Sequence, residues 1–532
     1  MKKVNHISRK ELNQFSENEL EFIYAQEKLK DFIGMPFSVE NIEKQIILKK
    51  KSYSIENRDT LVKALQMQYR SVRNNEKALN EIERLQESNT YTVTTGHQLC
   101  LLGGPMYFFI KVIHVIKLTE VLNNKYPQYH FIPLFWMASE DHDSDEIDHL
   151  NLFNKKIKWE HHQKGAVGRF RLDGLQHVFD ELLSLFNESD REELDRVFSS
   201  FNGNTYGEAF RNWLNELFSE KGLIIIDGDN KKLKSLFGPI MQSELTKGFS
   251  NELIQKTNEN LKAIGRKIQV HSREINLFHL TKNARSRITK AKHQFKIDQQ
   301  VYKEADLLIQ LEKHPDEFSP NAVLRPLYQE HILPNVCYVG GMAEMNYWAQ
   351  LKSVFEKREI PYPLLQFRSN VLWLDRGSRK KIESLSIEIK DLFGDIQEII
   401  KDFIKNQDSN PLNENELEQG LAQIEKSLMK AVINQKNLHS WIGSELKKIE
   451  KSVSQVKGRI LKDKKKSHED DLMKIHKIKE TLFPGNQLQE RHQNLLHFCN
   501  RNSYHSIIKQ LYMAIDPLNN GFTIISEEND SK

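Results

Sequence analysis

Between Tyr91 and Phe153 short apolar runs alternate with polar clusters. The run Tyr91-Thr92-Val93-Thr94-Thr95 is rich in β-branched and aromatic residues and stops at Gly96, which predicts a buried strand. Thr95-Gly96-His97-Gln98 closes it. A loop with Gly103, Gly104 and Pro105 follows, then an apolar helical run from Tyr107 to Leu118. A second strand, Phe131 to Met137, runs into Ser139-Glu140-Asp141-His142-Asp143. Strand, glycine loop, helix and strand describe a βαβ unit with a right-handed crossover. Both polar clusters fall just past the carboxyl ends of the strands, the rim where open α/β sheets bind ligands.

The same pattern continues on either side. Residues 1–90 read as polar and helical, with a capping box at Ser16-Glu17-Asn18-Glu19 and helical apolar spacing at Leu61, Leu65, Val72, Leu79 and Ile82. Residues 154–174 alternate and predict a small antiparallel insertion, and helical periodicity returns over 177–200 and 205–220. Leu223 to Asp227 reads as another buried parallel strand, followed by one long amphipathic helix from Lys231 to Ile264. A hairpin is expected over Ile288 to Ile297. Further strands are expected at Asn335–Val339 and Tyr362–Phe367, with a helix from Glu344 to Phe355 between them. Four or five strands, most followed by a helix, predict an α/β doubly wound sheet with insertions.

From Ser378 the texture changes. Leu417, Leu421, Ile424, Leu428, Ala431, Leu438, Ile442, Leu446, Ile449, Val453, Val456 and Ile460 fall mostly at alternating gaps of three and four, with Gln435 at one seam position and a stutter at Leu438-Ile442-Leu446. That is a coiled-coil seam. His468–Leu482 reads as a second arm ending at Pro484-Gly485, and Ile382–Phe403 as a third. The resulting division is 1–376 for the α/β core with inserted segments, 377–500 for the helical coiled coil, and 501–532 for a tail whose Gly521–Ile525 strand returns to the core.

Composition narrows the class. A chain of 532 residues exceeds one hydrophobic core. Its 28% charged residues nearly balance, at a formal net charge of +4, and this names neither nucleic acid nor a membrane as partner. Three cysteines, Cys100, Cys337 and Cys499, with no CxxC pair, fit a reducing compartment. With no signal-peptide core and no apolar run of ~18 residues, the expected location is cytoplasmic.

The loop from Gly96 to Pro105 can offer backbone N–H groups and a helix N-terminus to an anion. It matches neither the dinucleotide nor the P-loop fingerprint, so an ordinary strand-to-helix turn with a surface histidine is the alternative. Glu140, Asp141 and His142 could hold an ammonium or a phosphate-bound metal, with Mg²⁺ the candidate. Asp143 and Glu146 instead have the spacing of a helix-capping box. His161-His162 would face opposite ways on a strand and are read as surface residues. Cys100 reads as a small buried residue, and Lys464-Lys465-Lys466-Ser467 as a solvated turn between coiled-coil helices.

At these same residues the chain resembles a known family. Thr95-Gly96-His97-Gln98, Gly104-Pro105-Met106-Tyr107 and Phe135 through Asp143 are similar to motifs of the bacillithiol-biosynthesis family of cysteine ligases. So are Ser319-Pro320-Asn321, Leu324 through Glu330, and Gly340-Gly341 through Glu344, Tyr347, Trp348, Ala349 and Gln350. His97 stands where that family often has glutamine, and Met342-Ala343 replace a commoner Pro-Gly.

The resemblance implies a Rossmann-like core related to class I aminoacyl-tRNA synthetases, with connecting-peptide insertions and a coiled-coil arm that forms a homodimer. It implies amide formation between L-cysteine and the amine of glucosaminyl malate, with ATP as co-substrate. On this reading Glu140, Asp141 and His142 are catalytic. Thr95, Gly96, His97, Gln98 and Gly104 bind the nucleotide or acyl group, and Arg325, Gly340, Gly341, Glu344, Tyr347 and Trp348 bind substrate, with no resident metal. The alternatives are a nucleotidyltransferase acting on another metabolite and a non-catalytic nucleotide-binding scaffold.

Overall fold

The computed structural model describes residues 3–153, 155–292, 294–407, 414–499 and 502–527. The expected boundary between residues 500 and 501 lies outside them. At the centre is a parallel sheet of five strands: β1 (Thr90–His97), β2 (His130–Met137), β3 (Ile224–Asp227), β4 (Asn335–Gly340) and β5 (Leu364–Phe367). Their spatial order is β5-β4-β1-β2-β3, the doubly wound order, with its topological switch between β1 and β4. β1 is buried on both faces, so its threonines need partners. Thr94 Oγ1 donates to Asn335 Oδ1 at 2.8 Å and Thr95 Oγ1 to the Val339 carbonyl at 2.8 Å, both on β4. The polar positions of one strand thus fix its neighbour.

Helix α1 (Tyr107–Lys125) crosses from β1 to β2. It is buried nearly all round because Tyr504–Ala514 packs on the side away from the sheet. Long insertions interrupt the later crossovers. The β2-to-β3 connection carries the hairpin His149–Leu152/Lys155–Lys158 and three helices. The β3-to-β4 connection carries α2 (Lys231–Lys247), three further helices and a five-stranded antiparallel sheet that includes Arg285–Ala291 and Phe318–Pro320.

Several expected elements are divided. Gly248, at φ +56°, breaks the predicted Lys231–Ile264 helix into α2 and Phe249–Ala263, and a Cβ there would lie 2.9 Å from the Glu274 carbonyl. The Glu344–Phe355 helix is two short ones, Met342–Trp348 (α3) and Lys352–Lys357. Residues 177–200 form Leu175–Ser184 and Glu188–Ser199, and Ile382–Phe403 is covered by Arg376–Leu385 and Ile396–Gln407. The seam is broken too: Glu414–Ala431 and Lys436–Ser467 form a helical hairpin, and Gln435 is the N-cap of the second helix. Lys464–Lys466 occupy that helix's last turn, where cations favour the dipole, and not a connection. Ser16 does form its capping box with Glu19.

The chain's helical start conceals a strand. Lys3–Ser8 pairs antiparallel with Gly521–Ser526, which in turn pairs parallel with Val371–Leu374. The C-terminal strand therefore joins this separate sheet, and not the parallel one.

Candidate active site

A cavity of about 680 Å³ opens beyond the carboxyl ends of β1, β2 and β4, a size that suits a small-molecule ligand. Gly96, His97 and Gln98 enter it from β1, Glu140 and Asp141 from β2, and Gly341 and Glu344 from the turn after β4. Arg325 and Tyr347 complete that wall. Thr95, Gly104, His142, Gly340 and Trp348 are not among the lining residues. Thr95 is spent on the Val339 carbonyl, Trp348 is buried against Tyr338, and His142 is half exposed. Gly340 passes its carbonyl to the Arg368 N–H. Gly104, at φ +63°, belongs to the turn beneath, where a Cβ would meet Cys100 Cβ at 2.8 Å.

His97 has both ring nitrogens engaged. Nδ1 lies 2.8 Å from the Gln98 carbonyl, which can only accept, so Nδ1 carries the proton and Nε2 accepts from Tyr107 Oη at 2.9 Å. Burial, assisted by the Lys111 charge, lowers its pKa to about 4, so the ring is neutral at neutral pH. Burial also pushes the Cys100 thiol up to about 12, which leaves almost no thiolate.

The acidic wall is held from behind. Lys234, on α2 and fully buried, places Nζ 2.7 Å from Glu140 Oε1 and 2.8 Å from Asp229 Oδ1. Arg169 grips Asp229 through Nε at 2.6 Å and Nη2 at 2.8 Å. Burial raises the Glu140 carboxyl, with Lys234 opposing and Asp229 adding to the rise. For Asp229, Lys234 and Arg169 outweigh burial and hold it at about 2. Asp141 accepts from Gln98 Nε2 at 3.0 Å, with Arg285 Nη1 3.7 Å away. Glu146 also reaches Gln98 and Asp143 caps nothing, so the capping box expected there does not form. His161 lies in a loop with its ring 4.5 Å from that of Trp159, not on a strand.

On the opposite wall Glu344 accepts from Lys111 Nζ at 2.8 Å, Tyr338 Oη at 2.6 Å and the Gly341 N–H at 2.9 Å. Burial would raise this carboxyl, but the Lys111 charge and these bonds hold it below its ordinary range. Burial lowers Lys111 in spite of Glu344. Arg325 differs from both. It donates to Gln329 Oε1 at 3.0 Å and to Tyr347 Oη at 3.1 Å, both uncharged.

Lys111, Tyr107, Arg285, Arg368 and Arg491 also line the cavity, and pattern reading missed them. Lys111 had a signal: a single lysine inside Phe108–Ile116 needs a buried partner. The three arginines had none, for they come from distant stretches.

A model of the "Bacillithiol biosynthesis BshC, N-terminal Rossmann-like domain" matches residues 2–369, and one of the corresponding "C-terminal coiled-coil domain" matches residues 371–527. The chain belongs to the BshC family of bacillithiol biosynthesis. Among BshC relatives, proteins named "Putative cysteine ligase BshC" from Flavobacterium johnsoniae and Cytophaga hutchinsonii are 34% and 32% identical to it. The first alignment covers 98% of this chain and 99% of the relative, the second 97% of each. A relative of the same name from Bacillus mycoides is 26% identical over 80% of this chain and 83% of its own. A Plasmodium falciparum tryptophanyl-tRNA synthetase structure aligns over 91% of this chain and 99% of its own, at 12% identity and a TM-score of 0.20, too low to bear on function.

Proposed function

We propose that the chain is a ligase that joins the carboxyl of L-cysteine to the amine of glucosaminyl malate, yielding bacillithiol, with ATP as the activating co-substrate. Family membership supports the pathway. The observation that carries the chemistry is Arg325, a cation whose hydrogen-bond partners among the described residues are neutral, in the same cavity as Glu140 and Asp141. Such a cavity is complementary to one ligand anion and one ligand ammonium.

A carboxylate is a poor electrophile, so ATP would convert it to an acyl phosphate or acyl adenylate. The acceptor nitrogen then forms the C–N bond, and phosphate or AMP leaves. The ammonium's proton passes to Glu140 or Asp141, and a well-oriented pair gains roughly 7–11 kcal/mol from proximity. Neutral His97 holds the Tyr107 hydroxyl in place beside the reacting groups. Among the described residues no group of three or more His, Cys, Asp or Glu could hold a metal ion. Among the described residues no helix is long and apolar enough to cross a membrane. A cytoplasmic homodimer, paired through the helical arm, completes the proposal.

The test is purified protein incubated with L-cysteine, glucosaminyl malate and ATP, with products read by mass spectrometry after thiol labelling. Bacillithiol should form in step with ATP consumption. Folded protein that consumes none of the three would overturn the reading.

A further inference from the structure

Two further arginines line the cavity, Arg368 just past β5 and Arg491 from the C-terminal part of the chain. Arg368 is buried and donates Nη1 to Glu490 Oε1 at 2.8 Å and to the Ser369 carbonyl at 2.8 Å. Glu490 is itself fully buried and accepts from Asn370 Nδ2 at 2.6 Å and the Val371 N–H at 2.8 Å. This clasp fixes the short turn Gln489–His492 against the core. The same stretch holds the glycine loop: the Gln493 carbonyl accepts from the Met106 N–H at 2.8 Å, and Asn494 Nδ2 donates to the Leu102 and Gly104 carbonyls.

Arg491 follows Glu490 directly and lines the cavity, exposed to it. Among the described residues no carboxylate oxygen lies within 4.0 Å of its guanidinium. Arg368 lies 5.1 Å from the centre of the Tyr107 ring, and Arg491 is near enough for its charge to act on the same phenol. The Arg368 Nε edge faces the Gly341 turn, 3.7 Å from where a Cβ would stand, so one edge of that guanidinium is spent on Glu490 and the other is directed at the cavity. Two guanidinium groups thus stand near one tyrosine, in the cavity that Glu140 and Asp141 also line. The contacts of the clasp are made by Glu490 and not by the Arg491 side chain.

We infer that the Arg368–Arg491 pair lining the cavity is a subsite for a dicarboxylate group on the acceptor, and that Arg491 sets selectivity for it. This rests on the ligase reading and deepens it. The amine end of the acceptor would lie toward Glu140 and Asp141, its diacid end against the arginines, and Arg325 would be left for the cysteine carboxyl. Planar guanidinium forks pair with carboxylates in two-point contacts that a lysine does not reproduce.

The experiment compares wild type with Arg491→Gln and Arg491→Lys. The KM for glucosaminyl malate should rise about 10-fold or more in Arg491→Gln, with Arg491→Lys restoring only part, while the KM values for cysteine and ATP move less than about 2-fold. Preference for glucosaminyl malate over its malate dimethyl ester should collapse in the same variant. A rise in the KM for ATP alone would make this a phosphate subsite and overturn the inference, as would unchanged discrimination against the diester. A second readout needs no turnover: L-malate should raise the melting temperature of wild type and not of Arg491→Gln, whereas inorganic phosphate should do neither. Stabilisation by phosphate that survives in Arg491→Gln would also overturn it. A wild type that makes no bacillithiol would sink the ligase reading, and the malate contrast would still decide the subsite.

Discussion

Lys111 Nζ lies 2.8 Å from Glu344 Oε2, and this pair ties the helix that leaves β1 to the turn that leaves β4 across the topological switch. Lys111→Met leaves a buried carboxylate without its cation and should destabilise the fold by about 3 kcal/mol, read as a shift in the urea midpoint. Glu344 contributes stability that is present above its unfolded pKa, near the usual carboxylate value, and lost as pH falls through its lower folded value. Wild type should therefore lose stability as pH falls from the usual carboxylate range through that lower value, and Lys111→Met should lose much less. Equal acid sensitivity in both would sink the argument.

His97 and His114 are each lowered to about 4, chiefly by burial. The unfolded chain protonates near 6.5 and the native state does not, so stability falls as pH drops from about 6.5 toward 4, by roughly 3 kcal/mol per histidine. His97→Gln should reduce the slope of stability against pH in denaturant titrations between pH 7 and 4.5, by about as much as His114→Gln does. An unchanged slope would mean that the ring is not buried neutral.

Asp141 faces the cavity with Gln98 and Arg285 as neighbours. Asp141→Asn keeps the shape and removes the charge. Bacillithiol in complemented deletion cells should drop by about 10-fold or more, the low end of what a positioned acid–base group supplies. Normal thiol levels would take Asp141 out of the mechanism.

Cys100 and Gly104 touch, yet opposite outcomes are expected. Cys100→Ala should retain more than half of the activity, because a thiol held up at about 12 is no nucleophile. Gly104→Ala forces a side chain into a positive-φ position and against Cys100, which should lower stability by about 1–3 kcal/mol. Melting curves of the two single variants make the comparison.

Along the helical arm Ile433, Trp441 and Val456 are 67%, 60% and 57% exposed. If a second copy covers them, Trp441→Ser with Val456→Ser should weaken self-association at least 10-fold in sedimentation equilibrium. A wild type that sediments as a monomer at all concentrations would remove the dimer.

How much of this was readable depended on burial. The parallel strands declared themselves because sequences such as Phe131–Met137 and Leu223–Ile226 are apolar on both faces, and the polar clusters at their ends marked the rim. Lys3–Ser8 did not, because KVNHIS is a largely exposed edge strand with little apolar content. Gly248 breaks a helix through a backbone torsion that hydrophobic spacing does not encode. The cavity's acids were legible next to a strand, while Arg285, Arg368 and Arg491 converge only through the topology. Lys234 is the plainest case: it looks like one more surface lysine on an amphipathic helix and is instead the buried counter-ion of Glu140.

The pairing of Lys3 with Ser526 sets an order of events during folding. Among the described residues the strand at Lys3–Ser8 finds its ladder only on Gly521–Ser526, far away in sequence. Val371–Leu374 takes its parallel ladder from the same strand, whose Phe522 and Ile524 join Leu372 and Leu374 in one apolar cluster. Contacts so remote in sequence close slowly, and unpaired edges are where nascent chains stick to one another. Closure of this three-stranded sheet, more than the speed of any local step, should therefore time the chain's maturation.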